Sequence, residues 1–277
     1  MSLSEYFLWY QNWSLAGAVF LLLTFGVYLL WQKPTNTQRV SMFTALSLIY
    51  LVCGSPLEGL LNFGLHSVAM LQQVIILMVV PLFIWNGMPK DTFPKIALFP
   101  KRKLNILLAW ISGTLTMWAA HFISAAKISA ETGLSICGIK ASTSSIFANI
   151  PNLALVTGLL LAGIFFLNPV FSKNPHYKLA PLKAVGYLFT ACLSCSLLGL
   201  WVAFSASGSP ILEASGFLTT LRNPLPLTLR EDQELAGMIM WVPGCVLYVS
   251  TSVHIAIKWM DGGVKPALTA NTFHSEK

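Results

Sequence analysis

Two histidines and several methionines stand in an otherwise apolar chain at spacings that favour shared helical faces. His66, Met70 and Gln73 follow one another at i, i+4 and i+7, and His121 lies in the next apolar segment. An imidazole beside thioethers suits copper, particularly copper(I). Each residue also has a structural interpretation, because histidine can bond a neighbouring helix and methionine often fills a core. The spacing matches no recognised metal motif, so both interpretations stay open.

A second polar group opens the last apolar segment. Asp232 and Gln233 precede it, and Gln233, Gly237 and Met240 repeat the i, i+4, i+7 spacing, followed by Trp241. Gly237 would let a neighbouring backbone approach closely, and Met240 would add a second thioether. We expect Asp232 and its neighbours to form a structural or partner-binding motif, in which Asp232 caps its own helix or contacts a partner.

The elements that must position these residues are membrane spans. The chain has 277 residues, of which 55% are hydrophobic and 10% charged, whereas soluble domains carry about 25% charged residues. A span needs about 20 predominantly apolar residues. The sequence therefore predicts an all-α polytopic membrane protein, with one domain over 1–277 that forms a bundle of seven transmembrane helices. The predicted spans are about 13–31, 40–55, 66–88, 104–126, 150–171, 181–205 and 235–258.

The net charge of +7 is a topology signal. Thirteen of the 17 lysines and arginines lie on one side of the predicted spans. The positive-inside rule then places the N-terminus outside and the C-terminus in the cytoplasm. The basic excess suits anionic lipid, so we expect a lipid bilayer as a partner and no nucleic acid.

This topology brings the unusual side chains of four spans to one membrane face. Ser55 ends the second span, His66 opens the third, His121 lies in the outer third of the fourth, and Asp232 opens the seventh. Polar residues inside spans are costly and usually face the bundle or a cavity. We therefore expect a shared cavity in the outer leaflet.

Two prolines interrupt the predicted spans. Pro81 lies in the third and Pro243 in the seventh, and each should bend its helix and free a carbonyl. Interrupted helices are common in transporters, but no internal repeat accompanies them here. Small-solute transport is therefore a minor alternative.

The remaining motifs indicate little chemistry. Cys192 and Cys195 form a C-x-x-C near the middle of the sixth span, where packing is the main interpretation, and Cys245 is assigned to packing. The sequence has no glycine-rich phosphate loop, nucleophile elbow or H-E-x-x-H. We expect a protein that is not an enzyme.

The start of the seventh span resembles the signature of the CtaG-type cytochrome c oxidase assembly factors, which are seven-span bacterial membrane proteins linked to copper supply. Residues 232–244 carry that resemblance and read DQELAGMIMWVPG. Further similar segments are Ser55–Leu60 (SPLEGL), Met70–Val74 (MLQQV), Trp118–His121 (WAAH) and Ala162–Val170 (AGIFFLNPV).

Several family histidines are missing. The family's His-Met-x-Gln-His element reads Ala-Met-Leu-Gln-Gln at residues 69–73, although His66 stands one turn earlier. The two histidines and the glutamate that usually open the fifth span are replaced by Asn152, Leu155 and Val156. His121 is the family histidine that clearly persists.

The resemblance implies assembly or stabilisation of a copper-containing terminal oxidase, through copper delivery on the periplasmic side of the bacterial inner membrane. Its partners would be heme-copper oxidase subunits or another membrane copper enzyme. The copper site left in this chain would consist of His121, Met70 and Met240, with His66 beside them. Because Asp232 and Gln233 persist where histidines are lost, the alternative is a metal-free accessory subunit integral to a respiratory or copper membrane enzyme complex.

Overall fold

The computed structural model describes residues 13–60, 65–89, 102–129, 150–172, 178–205 and 228–263. Of these residues 91% are helical and none lies in a strand, which confirms the all-α class. The helices are α1 (Leu15–Gln32), α2 (Asn36–Cys53), α3 (Leu57–Leu60), α4 (His66–Val74), α5 (Val80–Gly87), α6 (Arg102–Ser129), α7 (Ile150–Phe171), α8 (Pro181–Ser205) and α9 (Leu229–Gly263), with a π-helical turn at Ile75–Val79 between α4 and α5.

Five helical segments in the described part of the chain are long and apolar enough to cross a membrane. They are His66–Gly87, Leu104–Ile123, Ala154–Phe171, Pro181–Phe204 and Arg230–Asp261, and α1 adds a shorter apolar stretch at Leu15–Trp31. Large apolar side chains such as Phe20, Leu30 and Trp201 are exposed on the outer faces. Such faces suit contact with lipid, so the chain has the character of a polytopic membrane protein.

The continuous segment from α4 to α5 lies at the centre of the bundle. In its most apolar stretch of 18 residues, 72% of the residues are buried, against 28% to 44% in the corresponding stretches of the other four candidate spans. Along it, α9 packs on α4 and α2 packs on α5, while α7 packs on the π-helical turn and on α5. The other close pairs are α9 with α8 and α6 with α7. This central position allows α4 to present its polar side chains to several neighbours at once.

The interruption expected at Pro81 is present as the π-helical turn that precedes it. Pro81 has no N–H for the Leu77 carbonyl, and in this turn the Val80 N–H bonds to the Ile75 carbonyl instead. Gly163 of α7 lies directly against this site, since an added Cβ there would overlap the Leu77 carbonyl oxygen and lie 2.7 Å from Pro81 Cγ. The glycine therefore lets α7 pack close to the widened turn.

Candidate functional site

The Asp232 carboxylate holds the start of α4. Its Oδ2 accepts a 2.7 Å hydrogen bond from the His66 backbone N–H, and its Oδ1 accepts bonds from the backbone N–H and the hydroxyl of Ser67. Asp232 is 3% exposed. The first N–H groups of a helix have no partner within it, and a carboxylate there is favoured by those groups and by the helix dipole. One side chain therefore fastens the first turn of α9 to the first turn of α4.

The helix that carries Asp232 is capped by other residues. Thr228 and Glu231 form a reciprocal pair, in which the Glu231 carboxylate accepts from the Thr228 N–H at 2.8 Å and the Thr228 hydroxyl accepts from the Glu231 N–H at 3.3 Å. The expectation that Asp232 caps its own helix is therefore wrong. Because this local capping box already serves the start of α9, the Asp232 side chain is available to a different helix.

The other members of the predicted motif on α9 face α8. The Gln233 side-chain amide donates to the Val202 carbonyl at 3.1 Å. Gly237 lies against Gly199, since an added Cβ at Gly237 would be 2.7 Å from the Gly199 carbonyl oxygen. This is the close backbone approach that the sequence predicted for Gly237. Trp241 is 45% exposed, so the core encloses only part of its side chain.

The two predicted histidine ligands lie where α4 and α6 meet. His66 and His121 are both buried. His121 Nδ1 is buried without a hydrogen-bond partner among the described residues. Beside it, the Gln73 amide donates to the Ala120 carbonyl at 3.2 Å. The bond between Gln73 and Ala120 fixes the register of α4 against the turn of α6 that carries His121.

Met70 and Met240 are buried in the same apolar core as Ala120, the residue before His121. Met70 reaches this core from α4 and Met240 from α9. By contrast Met238, two residues before Met240, is 52% exposed. The two methionines predicted as ligands therefore both face inward.

Four helices are joined at this end of the bundle, which we call the polar junction and define by Asp232, His66, Gln72, Gln73 and His121. Asp232 joins α9 to α4, and Gln73 joins α4 to α6. Gln72 adds α2, because its amide donates to the Val52 carbonyl at 3.0 Å. The sequence predicted that these four spans share one end, and the hydrogen bonds between them show that they do.

The residues predicted as ligands provide imidazole nitrogen and thioether sulfur. No three His, Cys, Asp or Glu side chains of the described residues converge closely enough to hold a metal, whereas a structural zinc site takes four such ligands. Imidazole nitrogen and thioether sulfur together suit copper(I). His121, Met70 and Met240 carry side chains of the types that copper(I) prefers.

The positions where family histidines are replaced in the fifth span behave as core. Leu155 and Val156, near the start of α7, pack against the main apolar cluster. The side chain of Asn152 lies outside the described residues. Two of the three replacements therefore exchange polar ligand types for apolar packing.

Two hydrogen-bond partners of the predicted site residues could not be identified from the sequence. Ser67 donates to Asp232 through its hydroxyl, and the Val202 carbonyl accepts from Gln233. A backbone carbonyl is common to all residues, so sequence cannot identify it as a partner. Ser67 follows directly on the buried His66, and a serine in the first turn of a helix is the one available hint.

The fold and the polar junction define a polytopic α-helical membrane protein whose buried polar side chains gather at one end of the bundle. Residues 21–262 match the model of the cytochrome c oxidase caa3 assembly factor family (Caa3_CtaG), and the chain belongs to that family. The matched range contains every residue of the polar junction. Comparison with curated proteins and with solved structures gives no match.

Proposed function

We propose that this protein assembles or stabilises a copper-containing terminal oxidase from the periplasmic side of a bacterial inner membrane. Membership of the oxidase assembly factor family over residues 21–262 carries the proposal. The proposed protein is one domain of seven spans, made of the five longer candidate spans together with α1 and α2. The basic connections then put the N-terminus outside and the polar junction in the outer leaflet.

Copper(I) is the proposed cargo, and His121 is the central ligand. A buried polar atom without a partner costs about 1–3 kcal/mol, so His121 Nδ1 weakens the fold unless a ligand engages it. Met70 and Met240 would supply thioether ligands from the same core, and His66 would lie beside them. Asp232 supports this arrangement because it holds the turn that begins at His66 against α9.

Deletion of the gene followed by complementation tests the function. Loss of the protein should lower the copper-containing oxidase in membranes, measured by its activity and by the amount of its subunits. The wild-type gene should restore both, and the His121→Leu variant should restore neither at equal protein level. His254→Leu is the control, because His254 is an exposed histidine of α9. Unchanged oxidase activity and subunit amounts in the deletion strain would contradict the proposal.

A second candidate function is that of a metal-free accessory subunit of the mature complex. It is favoured by the hydrogen bonds of Asp232 and Gln233, since both serve contacts between helices. Purification of the oxidase from native membranes separates the two candidates. A stoichiometric subunit remains with the active enzyme, whereas an assembly factor is present with intermediates and absent from the finished complex.

A further inference from the structure

Three thiols lie together at the interface of α8 and α9, deeper in the bundle than the polar junction. Cys192 Sγ is 3.1 Å from Cys245 Sγ, and Cys245 Sγ is 3.3 Å from the Ser196 hydroxyl oxygen. Cys195, one turn further along α8, donates its thiol to the Met240 carbonyl at 3.0 Å. Cys192 and Cys245 both lie near the middle of apolar helices, so this cluster is far from either end of the bundle.

A fourth sulfur approaches over Gly244. A Cβ added to Gly244 would lie 2.7 Å from Cys195 Sγ and 3.5 Å from Met78 Sδ. The thiol from α8 and the thioether from the π-helical turn are therefore neighbours across a position that has no side chain. Gly244 precedes Cys245, so Cys195 and Met78 lie beside the stretch of α9 that carries Cys245.

We propose that Cys192 and Cys245 form a two-sulfur soft-metal site that binds one copper(I) ion between them. Thiolate ligands favour soft metal ions, among them copper(I). Among the residues with described side chains, no three His, Cys, Asp or Glu groups are arranged to hold an ion. Zinc, which takes four such ligands, therefore does not fit, whereas a monovalent soft ion needs only two close sulfurs.

The charge balance also favours a monovalent ion in this apolar setting. Copper(I) replaces the proton of one thiol, the proton leaves to water, and no electron is transferred. One thiolate and one copper(I) ion are together neutral, and the second thiol adds no charge. A neutral complex avoids most of the cost of placing an ion among apolar spans.

The site forms by a small movement of Cys245. Metal–sulfur bonds of about 2.3 Å allow two sulfurs to be as much as about 4.6 Å apart, so the present separation has to widen by at most about 1.5 Å. Cys245 is only half-buried, which leaves room for its side chain to turn. Both cysteines are free thiols in the structure.

The sulfur site and the polar junction share α9. Met240, whose carbonyl accepts the Cys195 thiol, is also a proposed thioether ligand beside His121, and Cys245 lies five residues further along the helix, about 7.5 Å along its axis. The choice of copper as the physiological ion rests on the proposed function. The soft-metal site itself rests only on the sulfur geometry.

Competition with bicinchoninate tests the site. The purified full-length protein is reduced and titrated with copper(I) without oxygen, and bound copper is measured by the loss of the coloured copper(I)–bicinchoninate complex. We expect Cys192→Ser and Cys245→Ser each to weaken binding at least tenfold at one site. Cys53→Ser is the matched control, because Cys53 is a half-buried cysteine of α2, and it should bind like the wild type. Unchanged binding in both cluster variants would overturn the proposal.

A second measurement needs no substitution. Copper(I), or silver(I) as a soft ion that does not cycle between oxidation states under these conditions, should protect Cys192 and Cys245 of the wild-type protein from alkylation in denaturant-free micelles, as read by mass spectrometry. Equal alkylation with and without the ion would overturn the site, as would recovery of a Cys192–Cys245 disulfide in place of bound metal. His121→Leu separates the two sites, since it should leave this protection intact. The deletion strain tests the proposed function separately, because its oxidase content does not depend on where purified protein binds copper.

Discussion

The Asp232 carboxylate accepts a 2.7 Å hydrogen bond from the backbone N–H of His66, which lies 166 positions earlier in the chain. Capping side chains usually belong to the helix they cap. Here the cap comes from α9 and serves α4, so a feature of secondary structure is also a tertiary contact. His66 starts the central helix of the bundle, and the position of that helix therefore depends on the last one.

The Asp232→Asn variant should be less stable than the wild type. Asparagine keeps the shape but replaces one acceptor oxygen with an NH₂ group, so it cannot accept hydrogen bonds from both His66 and Ser67. Loss of a cap costs about 0.5–2 kcal/mol, and we expect the upper half of that range because the site is buried. Thermal unfolding in micelles measures the difference. Glu234→Gln is the control, since Glu234 pairs with Arg230 on the surface and such pairs contribute little. Equal effects of the two substitutions would contradict the capping role.

Much of the fold could be predicted, because long apolar segments and local caps are both visible in sequence. The fifth and sixth spans, expected at about 150–171 and 181–205, are the helices Ile150–Phe171 and Pro181–Ser205. The helices of the second and seventh predicted spans, α2 and α9, begin several residues earlier than expected. The reasons are the capping boxes at Thr35 and Thr228, polar turns that hydropathy alone leaves outside a span.

The partners of the site residues could be predicted less well. Helical spacing correctly put His66, Met70 and Gln73 on a buried face, but periodicity does not say which helix covers that face. The sequence therefore offers either a cap on its own helix or a partner contact for Asp232, and gives no sign of its bond to α4. Likewise Cys192 was considered with Cys195, its neighbour in the C-x-x-C, whereas its closest sulfur belongs to Cys245 on α9. Contacts between helices depend on packing angles and register, which no local pattern records.

Gly163→Ala should disrupt the packing of α7 on the π-helical turn. The added methyl group would overlap the Leu77 carbonyl oxygen, and a backbone atom cannot move aside as a flexible side chain can. Overpacking costs about 1–3 kcal/mol, and we expect at least the upper end here. Gly158→Ala provides a matched control on the same helix, because nothing lies within 4 Å of its added Cβ. The unfolding temperatures of the two variants in micelles, or their expression yields, are compared. Similar values for both variants would show that α7 is not held close at Gly163.

Gly237→Ala should separate α9 from α8. Its added Cβ would lie 2.7 Å from the Gly199 carbonyl oxygen and 2.8 Å from Ala203 Cβ, so the helices must move apart or shift. We expect a loss of about 1–3 kcal/mol and faster proteolysis of α9. The control is Gly186→Ala on α8, which has open space at its added Cβ and should gain slightly from the better helix propensity of alanine. A stable Gly237→Ala protein with wild-type proteolysis would show that the close approach is dispensable.

His121→Leu should separate stability from function. In the wild type, His121 is 6% exposed and its Nδ1 has no hydrogen-bond partner among the described residues. Leucine fills a similar volume without burying an unpaired polar atom, so the free energy of unfolding should stay the same or rise by about 1–2 kcal/mol. Oxidase assembly should nevertheless fail, because the substitution removes the imidazole that the proposed function uses. Residues that lower the stability of a fold are typical of functional sites. If the variant instead unfolds at a lower temperature and oxidase content falls only in proportion to its own amount, His121 is a structural residue and the polar junction serves packing alone.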